Sequence, residues 1–293
     1  MNKRLMPIAV TAASVALVML AGCTGVDEKA KEAVGTTVGA LEKTVENAVD
    51  NQVNRVKESR EALELSTSSP VSSASGITLE NAVGDIEVKQ IPGKEITVEV
   101  KIWAQKRASR EDDLKSVFEQ ATVSIKPDGN KVEIYTHAKD DPGKNLWEWG
   151  QKNLNYSEFS IDYVIGLPEG ISTFDIDSDV GDVSLAGLKG SYQIKNDVGS
   201  IEVMDASITG ESKISTATGS IDLGISRMES GGSLSVKADI GSIDVDLTDL
   251  PDVDLETKAD VGDISGAPKG KSQRGSGGPL LSLETSVGSI TVN

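Results

Sequence analysis

Apolar and polar residues alternate over short stretches in the C-terminal three quarters of the chain, and this alternation changes phase at glycines. Tyr192 and Ile194 are two residues apart, with a polar residue between them, which is the period of a half-buried strand. Val198 and Ile201 are also apolar but three residues apart, so both point inward only if the chain bends at Gly199. The pattern therefore predicts two short strands joined by a glycine corner.

This unit is repeated seven times, which is the main evidence for the architecture. Aligned on the glycine, the copies span residues 81–86, 178–183, 196–201, 216–221, 238–243, 259–264 and 285–290. From Gly181 onward, successive glycines are 18, 20, 22, 21 and 26 residues apart. A unit this small cannot bury its own apolar face, but stacked copies would form continuous apolar ladders.

Two arrangements satisfy the repeat. In a β-solenoid, which is β-helix-like, each unit is one rung of a stack; in an antiparallel β-sandwich, each unit is a hairpin that turns at the glycine. The absence of Asn-Gly and Asp-Gly from the repeat centres favours the solenoid. The glycine-rich stretch 270–279 is interpreted as a long insertion between the last two rungs, which explains the 26-residue step.

The segment between the first two copies does not repeat, and it predicts a small α+β cap region. Residues 95–103 alternate as a strand, and Ser109 is the expected start of a short helix through Phe118. Residues 123–125 and 132–135 then form the two strands of an expected hairpin. The whole domain, residues 77–293, is therefore expected to be all-β apart from this cap.

The N-terminus has the pattern of a secretory signal, with Lys3 and Arg4 followed by an apolar or small run from Ile8 to Leu20. The run is shorter than the ~20 residues that span a bilayer. It ends in Leu-Ala-Gly before Cys23, which resembles the bacterial lipobox. The resemblance implies cleavage of residues 1–22 and a lipid anchor on Cys23. Thr24 and Gly25 follow in place of the aspartate that retains lipoproteins in the inner membrane, so the expected location is the cell envelope, at the outer membrane in a Gram-negative host.

Residues 23–65 are expected to form a lipid-anchored amphipathic helical stalk, because valines and leucines recur at steps of three, four and seven without proline. Such a stripe suits self-association or contact with another surface; a partly disordered spacer is the alternative. Residues 66–76 are rich in serine and are expected to be a flexible linker.

Charge limits the classes of partner. Removal of the signal takes Lys3 and Arg4 from the 29 basic residues, so the net charge falls from −17 to −19. A surface that acidic disfavours nucleic acid and anionic lipid headgroups. We therefore expect contact with the membrane only through the lipid on Cys23.

Few residues suit catalysis. His137 is the only histidine and is expected in a surface loop, and Cys23 is the only cysteine, so metal-dependent, Ser-His-Asp and Cys-His chemistry are disfavoured. Aspartates recur two residues before the glycine, as in Asp179, and one residue after it, as in Asp182. They are expected to cap backbone amides at the corner, with a calcium ladder as the alternative. No cofactor is expected.

Aromatic residues cluster at one place. Trp147 and Trp149, with Tyr156 nearby, are the candidate partner-binding residues, because tryptophans in a loop stack on sugars or anchor a protein partner. More often, such rings plug the open first rung of the stack, because arrays of this kind need a cap.

The order of strand, helix, hairpin, the stretch 163–170 (Tyr-Val-Ile-Gly-Leu-Pro-Glu-Gly) and glycine-centred rungs resembles the bacterial putative-adhesin family of β-strand-repeat domains. The resemblance covers residues 77–293 and implies an envelope protein without catalytic residues. We therefore expect a non-enzymatic binding, adhesive or scaffolding module whose partner is an envelope protein or glycan. One alternative is an envelope-stress or assembly factor that recruits a protein through its stalk; another is a β-helix enzyme acting on carbohydrate.

Overall fold

The computed structural model describes residues 61–71, 74–104 and 108–293. This part of the chain is mostly β-structure. Its strands are β1 (Glu61–Pro70), β2 (Gly76–Val83), β3 (Ile86–Gln90), β4 (Glu95–Ala104), β5 (Ala121–Asp128), β6 (Lys131–Ala138), β7 (Asp141–Asn145), β8 (Phe159–Leu167), β9 (Thr173–Val180), β10 (Val183–Ala186), β11 (Lys189–Val198), β12 (Ile201–Ile208), β13 (Glu211–Thr218), β14 (Ile221–Met228), β15 (Ser233–Ile240), β16 (Ile243–Asp246), β17 (Val253–Val261), β18 (Ile264–Ser265), β19 (Gly270–Arg274), β20 (Leu280–Val287) and β21 (Ile290–Val292). The helices are α1 (Glu111–Gln120), preceded by a 3₁₀ turn at Ala108–Arg110, and α2 (Leu146–Leu154). No helix in the described ranges combines the length and the apolar character needed to cross a membrane.

The strands form two open sheets. Sheet A has the order β1-β4-β8-β3-β10-β12-β14-β16-β21-β18. Sheet B has the order β5-β6-β2-β9-β11-β13-β15-β20-β17-β19, with β7 also beside β6. The two strands of a repeat copy run mainly in different sheets, and each pairs in parallel with the equivalent strands of other copies. The start of β11, at Lys189 and Gly190, also pairs in sheet A, in parallel with the end of β12. The expected mostly-β fold is therefore confirmed.

A column of glycines joins the two sheets at one corner. A Cβ built on Gly219 would lie 2.0 Å from the carbonyl oxygen of Gly199, far inside van der Waals contact. Gly219 also has a φ of +146°, a conformation that side chains oppose. The column runs, in spatial order, through Gly84, Gly181, Gly199, Gly219, Gly241, Gly288 and Gly262. The glycine corner is thus required by the close approach of successive copies.

Apolar ladders fill the space between the sheets. Ile201, Ile221 and Ile243 are in register on neighbouring strands of sheet A, and all three have no exposed surface. The residue just before the glycine is less buried than the alternation predicts: Val198 is only half-buried, and Val261 is 43% exposed. The bend therefore begins one residue earlier than expected, and this side chain lies at the outer rim of the corner.

The last two copies exchange places relative to the chain order. Strand β20 pairs in parallel with both β15 and β17, and β21 pairs with both β16 and β18. The stretch 270–279 is more than the predicted loop, because it contains β19, which pairs antiparallel with β17. The β17–β19 hairpin forms the end of sheet B, and β20, in the final segment of the chain, lies between this hairpin and β15.

The prediction that residues 61–65 end a helix was wrong, and residues 66–70 of the predicted linker 66–76 belong to a strand. Residues 61–70 form β1, which pairs with all ten residues of β4 in an antiparallel ladder. Leu63 and Leu65 face the core and alternate with exposed residues. Serine-rich composition is compatible with a strand when a neighbouring edge supplies hydrogen bonds, so the folded domain begins by Glu61. The rest of the expected stalk, and Cys23, lie outside the described residues.

The expected strand and hairpin of the cap are confirmed as β4 and as β5 paired antiparallel with β6. The start of the helix was misplaced, because α1 begins at Glu111 and Ser109 lies in the preceding 3₁₀ turn. Arg110 is its N-cap residue and makes no side-chain capping bond.

Candidate functional site

The corner aspartates bind backbone amides of neighbouring copies. Asp162 Oδ1 accepts a hydrogen bond from the amide of Asp85 at 3.1 Å, and Asp85 Oδ1 accepts one from the amide of Asp182 at 3.2 Å. Asp182 Oδ1 in turn accepts from the amide of Ser200 at 2.8 Å. Each carboxylate thus satisfies a donor of the next copy along sheet A. The amide-capping interpretation is confirmed at Asp85 and Asp182, whereas Asp197 and Asp239, two residues before the glycine, pair with lysines.

A second polar row lies inside the same corner. Asn196 Nδ2 donates to the carbonyl oxygen of Gly181 at 2.8 Å, and Thr285 Oγ1 donates to that of Gly241 at 2.9 Å. Both side chains are at most 1% exposed. They satisfy carbonyls that would otherwise be buried without a donor, so this row stabilises the stack and is not accessible to a ligand.

The outward row of aspartates on sheet B is paired with lysines. Lys195 Nζ lies 3.1 Å from Asp177 and 3.0 Å from Asp197, and Lys237 Nζ lies 2.7 Å from Asp239. The hydrogen bond to Asp197 is the largest cause of the raised pKa of Lys195. The cations therefore relieve the repulsion that stacked carboxylates would create.

Asp179 is the exception in this row. Burial raises the pKa of its carboxyl, and the neighbouring Asp197 and Asp177 raise it further, while Lys195 opposes them. Among the described residues, no group of three or more His, Cys, Asp or Glu side chains is arranged to hold a metal ion. The geometry thus supplies no calcium ladder in this part of the chain.

The outer face of sheet A carries a different row. Glu202, Asp222 and Asp244 are in register on β12, β14 and β16, three residues after the glycine in each copy. Each alternates with buried residues, so all three point outward. Sequence reasoning considered only the positions flanking the glycine and missed this row, although the same copy alignment contains it. The two faces therefore differ: sheet B interleaves acids with lysines, and this part of sheet A aligns acids.

The three candidate partner-binding aromatics are buried. Trp147, Trp149 and Tyr156 are 9%, 4% and 3% exposed. The tryptophans lie in α2 and not in a loop, because Asn145 Oδ1 caps the helix by accepting from the amide of Glu148 at 2.8 Å. At this burial the rings are not available for an external partner to stack on, which favours the cap interpretation over partner binding.

Their contacts are structural. Trp147 Nε1 donates to the carbonyl oxygen of Phe159 at 3.0 Å, and the two rings stack with centroids 5.6 Å apart. The guanidinium of Arg110 lies 5.0 Å from the centre of the Tyr156 ring and donates to the carbonyl of Leu154. The cluster thus fastens α2 to β8 and to the start of α1.

His137 lies in β6 and is 6% exposed, so the expected surface loop was wrong. Its Nε2 is 2.8 Å from Ser124 Oγ, its Nδ1 is 2.8 Å from the carbonyl oxygen of Ala138, and its ring stacks on Tyr135. Donation from Nδ1 to this carbonyl leaves Nε2 as the acceptor for the serine hydroxyl. These contacts occupy both ring nitrogens and join β5 to β6.

Several solved structures resemble this chain. A putative cell adhesion protein from Clostridium sporogenes is 14% identical, with a TM-score of 0.46, 79% of this chain covered and 99% of the other. A putative adhesin from Bacteroides fragilis is 16% identical, with a TM-score of 0.40 and coverages of 80% and 98%. A putative lipid binding protein from Parabacteroides distasonis is 14% identical, with a TM-score of 0.32 and coverages of 78% and 96%. No protein-family model and no curated protein matches this chain.

Proposed function

We propose that this protein is a lipid-anchored, non-enzymatic binding or scaffolding module of the bacterial cell envelope, and that its rigid part is a β-solenoid. The solenoid interpretation is supported by the parallel pairing of equivalent strands from copy to copy. In a sandwich of hairpins, the two strands of one copy would pair with each other. Here they run mainly in opposite sheets, joined through the glycine corner, and the two-residue pairing of β11 with β12 is parallel and not that of a hairpin.

The observation that carries the binding proposal is the alignment of equivalent outward positions. Because the copies stack in one register, Glu202, Asp222 and Asp244 form a straight row on adjacent strands, with the ~4.8 Å spacing of a sheet. A flat, regular face offers an extended partner many similar contacts, whereas catalysis requires a few convergent groups. The ring nitrogens of His137 are already engaged by Ser124 and by a backbone carbonyl.

Anchoring through Cys23 is proposed from the sequence. The lipobox-like residues before Cys23 and the absence of aspartate after it support attachment to the outer membrane of a Gram-negative host. Two or more acyl chains anchor a protein stably where one is marginal. Cys23→Ser should leave the chain unlabelled by radioactive palmitate and should release it from the membrane fraction. A variant that stays membrane-bound would refute the anchor.

The binding proposal is tested by photo-crosslinking in intact cells. A photoreactive amino acid is placed at position 202, 222 or 244 on sheet A, and in matched variants at Asp177 or Ser235 on sheet B. We expect the positions on sheet A to capture a defined envelope protein or glycan and those on sheet B to remain uncrosslinked. Failure of the sheet A positions to capture a defined partner would overturn the proposal.

The second candidate function is recruitment through the segment before the domain. Because β1 begins at Glu61, the informative deletion removes residues 26–60 and keeps the anchor. Loss of capture at unchanged domain stability would favour the segment, and retention would favour the β-domain. Cleavage of purified envelope polysaccharide by the intact protein would instead establish an enzyme.

A further inference from the structure

The C-terminal segment of the chain, residues 279–293, fills a slot inside the stack. On sheet B, Leu283 pairs with Val236 on one side and with Thr257 on the other. On sheet A, Ile290 pairs with Ile243 and with Ile264. The segment therefore lies between β15 and β16 on one side and β17 and β18 on the other, all of which precede it in the sequence.

The segment supplies both core and hydrogen bonds. Leu281, Leu283 and Ile290 have no exposed surface. The amide of Gly241 donates to the carbonyl oxygen of Val287 at 2.9 Å on one flank, and the amide of Gly288 donates to that of Val261 at 3.0 Å on the other. Removal of the segment would expose an apolar strip and leave two strand edges unpaired, which is the template that an incoming strand requires.

The part of the fold beyond the slot is held together without this segment. Strands β17 and β19 form an antiparallel hairpin, Thr257 Oγ1 donates to the carbonyl of Pro268 at 2.6 Å, and Lys269 Nζ donates to that of Ala259 at 2.8 Å. The connection into the slot, residues 275–279, is Gly-Ser-Gly-Gly-Pro. The segment thus follows a connection that is short and rich in glycine.

We propose that the slot also accepts residues 279–293 of a second copy, so that neighbouring molecules associate by exchanging their C-terminal segments. The glycine corner restricts which segment fits the slot, because a Cβ at position 288 would lie 1.9 Å from the carbonyl oxygen of Gly241. A donor therefore needs glycine at that position, with apolar residues in the register of Leu281, Leu283 and Ile290. Exchange between identical chains preserves the contacts of the segment, and it is a low-cost route to association.

The test uses the full chain with Cys23→Ser, Ser235→Cys and Ser282→Cys. Positions 235 and 282 are paired across β15 and β20, so the disulfide reports which chain fills the slot. After incubation at high protein concentration below the melting temperature, we expect oxidation to give covalent dimers. A synthetic peptide of residues 279–293 carrying Ser282→Cys should suppress the dimers and become disulfide-linked to position 235 of the chain.

The matched control is the same peptide with Gly288→Val, which we expect to be incorporated at least about tenfold less, because its side chain meets the backbone of Gly241. Intramolecular disulfides alone at every concentration, with no peptide uptake, would overturn the proposal. Equal uptake of the two peptides would also overturn it, because binding would then occur outside the slot.

Discussion

Gly288 stacks directly on Gly241, so it lies between Gly241 and Gly262 in the column although Gly262 precedes it in the chain. The carbonyl oxygen of Gly241 would be 1.9 Å from a Cβ on Gly288, and the carbonyl oxygen of Gly288 would be 1.8 Å from a Cβ on Gly262. The same carbonyl of Gly241 accepts the hydroxyl of Thr285. The same backbone contact therefore continues along the whole column, even where the spatial order of the copies differs from their order in the sequence.

Replacement of a column glycine should be severely destabilising. Gly219→Ala puts a Cβ 2.0 Å from a backbone oxygen that cannot move without breaking the ladder, and we expect a loss above about 4 kcal/mol. Gly210→Ala is the matched control: its φ is +114°, but no atom lies within 4 Å of the added Cβ. It should cost only the backbone strain, about 1–3 kcal/mol. Chemical denaturation of the two variants compares them, and equal losses would contradict a steric role.

The aromatic cluster is expected to act on stability. Trp149 is 4% exposed, so Trp149→Ala should lower the free energy of unfolding by about 3–5 kcal/mol through lost burial and a cavity. Met204→Ala, at a side chain that is 38% exposed on sheet A, should change it by less than about 0.5 kcal/mol. Thermal unfolding by circular dichroism measures both. A Trp149→Ala protein with an unchanged melting temperature would show that the ring does not support the core.

The position of the domain boundary is tested by truncation. A chain beginning at Ile77 lacks β1, exposes the edge of β4 and loses the contacts of Leu63 and Leu65 with the core. We expect it to melt about 5 °C or more below a chain beginning at Glu61, and to aggregate through the open edge. Size-exclusion chromatography and thermal melts compare the two. Equal melting temperatures would mean that β1 is dispensable.

Asp179 should give a pH-dependent gain when it is neutralised. The pKa of the Asp179 carboxyl is higher in the folded protein than in the unfolded chain, so the folded state binds the proton more readily. As the pH rises from the unfolded pKa through the folded pKa, the carboxyl becomes charged and the folded state loses stability. Asp179→Asn should therefore raise the melting temperature at pH 7 by about 1–2 °C, a small effect because solvent screens this exposed site. The gain should vanish near pH 3, where the wild-type carboxyl is protonated in both states.

Asp239→Asn is the control for that measurement. Its carboxylate lies 2.7 Å from Lys237 Nζ, so neutralisation removes an ion pair and should give no gain at pH 7. A gain in both variants would point to the overall negative charge and not to the local repulsion at Asp179.

Much of the repeat was readable from the sequence. The glycine corner at Gly199, the buried ladder that contains Ile201 and Ile221, and the amide-capping role of Asp182 each follow from a local pattern repeated along the chain. Such features depend on residues within one copy and its immediate neighbour. Strand β4 and the hairpin of β5 with β6 were predicted for the same reason.

The errors share a physical cause. Residues 66–70 have the composition of a linker but become the edge strand β1, because β4 offers a row of unsatisfied amides and carbonyls. Helix α2 was not predicted, although Asn145 followed three residues later by Glu148 is a local signal for the start of a helix. His137 was predicted to lie in a surface loop, and the helix that carries the tryptophans was predicted to be a loop. The surroundings of these residues depend on β8, α1 and β5, which lie elsewhere in the chain.

By itself, the sequence determined the period of the repeat, the phase of each strand and the need for glycine at the corner, since these follow from side-chain alternation and backbone sterics. Only the tertiary structure decided the order in which the copies stack. The copies ending near Val261 and Val287 have nearly equal apolar patterns, so either fits the position beside β15. Local pattern cannot distinguish them, and the order was set by the β17–β19 hairpin, which forms the end of sheet B and leaves the inner position to the C-terminal segment.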